Sequence, residues 1–167
     1  MIGPWQSAAR PEAPNGPMAV PGSYSLRFTA GSYTATQPLT IIEDPRVTKA
    51  GVTLSELREQ FEHNMRVRDL VSDVNQTVAR LRAAQQGAND STLPLLRQLA
   101  THLITPSIRY SKPELQTPIT YLYGMTTATD QKVGRDAVER YTELRKESMG
   151  ASRSWRRLSV CRSKLAI

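Results

Sequence analysis

His63 and His102 are the only histidines in the chain. A histidine does acid–base or metal chemistry when a carboxylate, a thiol or a second imidazole orients it. Neither lies in an H-E-x-x-H pattern. His63 follows Glu62, with Glu59 one turn back, the setting of a partly exposed surface residue; His102, beside Leu99 and Leu103, reads as a helix-edge residue. Asp69/Asp73, Glu139/Glu143 and Glu143/Glu147 are carboxylate pairs one helical turn apart. Glycoside hydrolysis needs two carboxylates, but on opposite sides of the scissile bond, and two on one helix do not flank a substrate in that way. Arg66, Arg68, Arg140, Arg145 and Lys146 interleave with them, which describes solvated faces with weak i,i+4 pairing. Gly124, Gly134 and Gly150 are isolated, so there is no phosphate-cradling loop, and no G-x-S-x-G elbow occurs. Tyr121 and Tyr123 in "TYLYGM" read as bundle packing, with Tyr121 able to lie outside. The sole cysteine, Cys161, excludes an internal disulfide and a cysteine-based zinc site. The expectation is a chain with no catalytic constellation and no cofactor or metal site.

The other residues with chemical potential are basic. The net charge is +7 over 167 residues. The first 150 residues hold all 15 acids and 17 of the 22 Lys and Arg, leaving +2 there. The rest comes from Arg153, Arg156, Arg157, Arg162 and Lys164 in "ASRSWRRLSVCRSKLAI". With Trp155 among them, these residues could bind phosphates and stack on a base, or lie on an anionic surface. The competing expectation, and the favoured one, is that residues 151–167 form a basic tail without regular structure, because the Glu-rich helical pattern stops after Met149.

The elements that would position these groups are mainly helical. Residues 1–15 read as an extended Pro/Gly-rich lead-in with no signal-peptide pattern, and no apolar run suits a membrane span. Over 16–47, Tyr24, Leu26 and Phe28 alternate with polar residues, and Gly31-Ser32 suits a two-residue turn. That predicts a hairpin pairing Ala30 with Tyr33, Phe28 with Ala35 and Tyr24 with Leu39, with an edge or bulge at Pro38. Pro45 holds Asp44 extended and ends the sheet. Thr53 and Glu56 form a capping box for a helix from Leu54 to about Gln86, stopped by Gly87. Its apolar stripe is read as Leu54, Leu57, Phe61, Met65, Val71, Val74, Val78 and Leu81, interrupted by Arg68. Further helices are expected from Ser91 to Thr105, around Ile119 to Ala128, and from a cap at Asp130, the last two separate or one kinked helix. The fold class is therefore α+β, mainly α. An N-terminal β-hairpin, the remnant of a β-sandwich, precedes an antiparallel bundle of three to four helices over 53–150.

"GPMAVPGSYSLRFTAGSYTATQPLTIIEDPRV" resembles the last strands of the immunoglobulin-like module in bacterial exported sortilin-like or BNR-repeat β-propeller proteins, often labelled glycosyl hydrolases. "LSELREQFEHNMRVRDLVSDVNQTVARLR" is similar to the helix that follows D-P-R in that family, and "YSKPELQTPITYLYGMTTATDQKVGRDAVERYTELRKE" to its closing helices. The resemblance covers about residues 16 to 147. It implies a non-catalytic C-terminal structural or docking module whose partner is an upstream propeller or sandwich domain of an exported parent. The family's propeller boxes have no counterpart here, so no catalytic residue carries over; a truncated or frame-shifted gene product is the expectation that goes with this. The alternative is nucleic-acid or anionic-surface binding through the basic tail.

Overall fold

The computed structural model describes residues 16–164, with side chains through residue 158. The expected lead-in over 1–15 lies outside the described residues. β1 (Gly22–Ala30) and β2 (Tyr33–Ile41) form a two-stranded antiparallel sheet. Its register pairs Ala30 with Tyr33, Phe28 with Ala35 and Tyr24 with Leu39, as the alternation predicts. Gly31, at φ 60°, opens the turn while Ser32 keeps a negative φ, the arrangement that places glycine first in a two-residue hairpin loop. Pro38 causes no bulge. Pairing alternates between hydrogen-bonded and non-hydrogen-bonded positions away from the turn, and that count puts the Ser25–Pro38 pair at a non-hydrogen-bonded position. A missing N–H costs no ladder bond there.

α1 (Pro45–Lys49) is a short helix that the sequence reading missed. Asp44 is extended, as Pro45 requires, and its carboxylate accepts from the Arg46 N–H at 2.8 Å while pairing with Nη2 of Arg46 at 2.7 Å. D-P-R is thus a self-contained helix start: cap, proline at the first helical position, and a clamp on the cap. Gly51, at φ 85°, redirects the chain. α2 (Leu54–Gln86) then begins at Thr53, whose hydroxyl accepts from the Glu56 N–H while the Glu56 carboxylate accepts from the Thr53 N–H. The predicted bounds of this helix hold at both ends.

α3 (Leu93–Leu103), α4 (Gln116–Thr127) and α5 (Arg135–Lys164) pack against α2. Their order in space is a bundle of three legs rather than four. Gln85 Nε2 reaches the Leu96 carbonyl, so α3 runs back along the far half of α2. Gln116 Nε2 bonds Asn75 Oδ1 at 2.7 Å and the Thr126 carbonyl meets Asn64 and Gln60, so α4 continues down the near half in the same sense as α3. Residues 104–115 are a break in one descending leg. Two side-chain bonds staple it: Thr105 Oγ1 to Thr117 Oγ1 at 2.6 Å, and the Glu114 N–H to Thr105 Oγ1 at 2.8 Å. α5 then ascends parallel to α2, from Lys132 beside Glu56, past Tyr141 beside His63, towards Trp155.

The core lies along this seam: Val67, Leu70, Val74, Val78 and Leu81 from α2, Leu96, Leu99 and Leu103 from α3, Ile119 and Leu122 from α4, and Leu144 from α5. Two expectations fail at its edges. Phe61, Met65 and Val71 are only half-buried, because the seam at that height runs through Gln60, His63, Asn64 and Val67. The tail expected to lack structure from residue 151 continues α5 to Lys164. Leu144, Ser148, Ala151, Trp155 and Leu158 recur at three- and four-residue intervals, and the last three pack against the core beside α3. α3 would otherwise have α2 as its one long neighbour. The fourth helix also starts later than a cap at Asp130 would place it, at Arg135, with Gly134 accepting from the Val138 N–H.

Trp155→Ala is expected to cost about 2 kcal/mol, less than the ~3–5 of a fully buried tryptophan because the ring is half-exposed. Removal of residues 151–167 should lower the urea midpoint further. Urea unfolding followed by circular dichroism checks both, and an unchanged midpoint would mean that this extension does not pack.

Candidate functional site

The residues singled out by chemistry divide into three places. The first is a buried polar cluster at the near end of the bundle. Gln60 is 5% exposed, His63 1% and Asn64 3%. Gln60 Nε2 donates to the Thr126 carbonyl at 2.8 Å and the Thr129 carbonyl at 2.7 Å, while its Oε1 accepts from the Gln131 N–H at 3.2 Å. Asn64 Nδ2 donates to the Thr126 carbonyl at 2.9 Å. The last carbonyls of a helix have no partner within it, and α4 lacks a side-chain or glycine stop of its own. Two amides of α2 supply the donors. Lys132 Nζ pairs with Glu56 Oε1 at 3.0 Å and ties the same connection to the start of α2. The Glu56 carboxyl is held at about 2, chiefly by the Thr53 N–H it accepts from, then by Lys132 and the Thr53 hydroxyl.

His63 is buried, not the partly exposed surface residue expected from its acidic neighbours. Its ring meets Tyr141 edge to face, 5.8 Å between centroids, and neither ring nitrogen has a hydrogen-bond partner among the described residues. Burial pushes its pKa below the ordinary 6.5, and the charge of Arg66 pushes the same way. The folded state thus holds the neutral imidazole. The sequence hid this position because the buried stripe of α2 is polar for one turn. The signal was the spacing of Leu57, Gln60, Asn64 and Val67, which continues the apolar period with amides in place of methyls. His102 is exposed at the edge of α3, as expected.

The second place is the surface carrying the carboxylate pairs. Asp69 is paired with Arg68 at 2.6 Å, Glu139 with Arg135 at 2.7 Å and Glu143 with Arg140 at 2.9 Å. Among the described residues no three His, Cys, Asp or Glu side chains group as metal ligands. Among the same residues no helix is long and apolar enough to cross a membrane.

The third place is the basic end of α5. Its described cations, Arg153, Arg156 and Arg157, do not line one shared hollow. Arg153 and Arg156 line a cleft against α2, Arg157 lines a separate hollow against α3, and Arg162 and Lys164 have side chains outside the described ones. Trp155 lies half-buried, packed against the core.

The hairpin adds an exposed face that is largely apolar. Leu26 is 59% exposed, Phe28 59%, Tyr33 63% and Leu39 46%. β1 and β2 pack on each other, and no helix covers Leu26 or Phe28. In class, then, the chain is an α+β protein: a β-hairpin joined to a helical bundle, with an apolar sheet face open to solvent. Comparison with protein-family models, with curated proteins and with solved structures finds no match for this chain.

Gln60→Leu leaves the Thr129 carbonyl and the Gln131 N–H unpaired, while the Thr126 carbonyl keeps its bond from Asn64, and should cost about 2 kcal/mol. Gln76→Leu, at an exposed position of the same helix, should stay within about 0.5 kcal/mol; equal losses would deny the cluster its role. Below about pH 6.5 the unfolded chain takes up a proton at His63 that the folded chain resists, so stability should fall with pH there. His63→Phe should flatten that part of the stability-versus-pH curve, measured by urea unfolding between pH 5 and 8.

Proposed function

We propose that the chain is a non-catalytic structural or docking module whose hairpin completes a β-sheet supplied by a larger partner domain. The observation that carries this reading is the uncovered face of Tyr24, Leu26, Phe28 and Leu39. An isolated two-stranded sheet is marginal in water, and three or more strands with a shared apolar face are the usual remedy. Both hairpin strands present open edges, so a neighbouring sheet can extend the ladder as well as cover the face. The resemblance read from residues 16–147 to the C-terminal region of sortilin-like or BNR-repeat propeller proteins would make that partner an immunoglobulin-like sandwich or propeller domain of an exported parent. A hydrolase label would then describe the parent, and this module would act by packing.

The helical bundle supplies the mechanism of display. Asp44 and Arg46 stop the hairpin and start α1, and the 18–21 segment before β1 lies against Leu57, Phe61 and Thr127 at the near end of the bundle. The segments on either side of the sheet thus join it to the bundle while its apolar face stays open.

A photo-crosslinking residue at Leu26, introduced in the native host, should join the hairpin to a peptide from an immunoglobulin-like or propeller domain, identified by mass spectrometry. Crosslinks confined to this chain's own helices would overturn the reading. Limited proteolysis of the isolated chain should cut before residue 50 first, and equal resistance across the chain would count against an unpartnered hairpin.

A further inference from the structure

α2 and α5 run parallel, and on the side away from α3 and α4 they enclose a cleft of about 700 Å³, within the size range of small-molecule sites. From α5, the small side chains of Ser148 and Ser152, one turn apart, line it together with Tyr141 and the longer Arg145 and Arg153. Four arginines and two aspartates line it as well, a formal surplus of two positive charges. Asp69, one of the two, is already engaged by Arg68 at 2.6 Å. Arg66 lies 6.0 Å from the centroid of the Tyr141 ring, which steadies its guanidinium at the mouth. Arg66, Arg145 and Arg153 make no ion pair among the described residues, although acidic side chains are plentiful on both helices. Ser148 is 6% exposed overall and lines the cleft.

We propose that this cleft is a binding site for a small phosphorylated anion carrying two linked phosphates, with Arg145 and Arg153 taking the phosphate oxygens and Ser148 donating its hydroxyl. Guanidinium groups match phosphate oxygens in geometry and stay charged at every physiological pH. Arg145 and Arg153 stand two turns apart, about 12 Å along the helix axis, so their long side chains converge from either end on a ligand larger than a single phosphate. The site is independent of the hairpin. It also gives the split basic end of α5 a local role that neither a loose tail nor a stacking platform would have, since Arg153 belongs to the cleft and Arg157 does not.

The test is titration calorimetry of the full chain with inorganic pyrophosphate, with inorganic phosphate as the single-phosphate arm. Pyrophosphate should bind saturably and more tightly than phosphate. Arg145→Gln and Arg153→Gln should each weaken it by about tenfold or more, and Ser148→Ala should weaken it several-fold, all with circular dichroism spectra unchanged. Arg157→Gln, outside the cleft, should stay within about twofold. No saturable binding of pyrophosphate overturns the proposal, as does an equal loss in Arg157→Gln, which would mean diffuse attraction to a basic helix. A single-stranded oligonucleotide that binds the chain and is not displaced by pyrophosphate would assign the cations to nucleic acid and overturn it too.

Discussion

The bundle depends on covering one very long helix. α2 has 33 residues, a rod of about 50 Å, and it buries a side chain every turn from Leu57 to Ala84. No helix of ordinary length hides such a stripe. The chain solves this with two helices in line, α3 over the far half and α4 over the near half, and with α5 laid parallel along both. The break between α3 and α4 follows from that arrangement. Pro106 and Pro113 forbid a continuous helix there, and Thr105 and Thr117 stitch the two ends so that the descending leg keeps its direction.

A leg built in pieces has free ends, and those ends explain the polar residues in the core. The carbonyls at the end of α4 meet α2 one turn into its buried stripe. Leucine at residues 60 and 64 would have extended the apolar seam but left those carbonyls dry and unpaired. Gln60 and Asn64 exchange some hydrophobic burial for donors to those carbonyls, a favourable trade where unpaired buried acceptors are the alternative, although Asn64 Oδ1 itself finds no partner among the described residues. His63 sits in the same turn without a polar partner, and its ring is held by shape against Tyr141.

The two ends of the chain differ in how far the bundle claims them. α5 beyond Gly150 belongs to it, because α3 needs a second neighbour and Ala151, Trp155 and Leu158 provide one. The hairpin does not, because Leu26 and Phe28 face solvent. At this basic end Arg153 and Arg156 line the α2-facing cleft and Arg157 the α3-facing hollow.

Local chemistry was legible in the sequence wherever neighbours along the chain decide the outcome. The hairpin register follows from alternation around Gly31-Ser32, and the start of α2 from the reciprocal bonds of Thr53 and Glu56. The Leu96, Leu99, Leu103 face follows from spacing alone. A residue such as His63 was misread because charge in its flanking residues says nothing about what a distant helix end requires. The tail was misread because composition changes at residue 151 while the apolar period does not. What only the tertiary structure decided is which helices run side by side, since direction is set by the reach of a twelve-residue break and by contacts 60 or more residues apart in the chain. Periodicity reports that a face is buried; the partner that buries it is a property of the packed molecule.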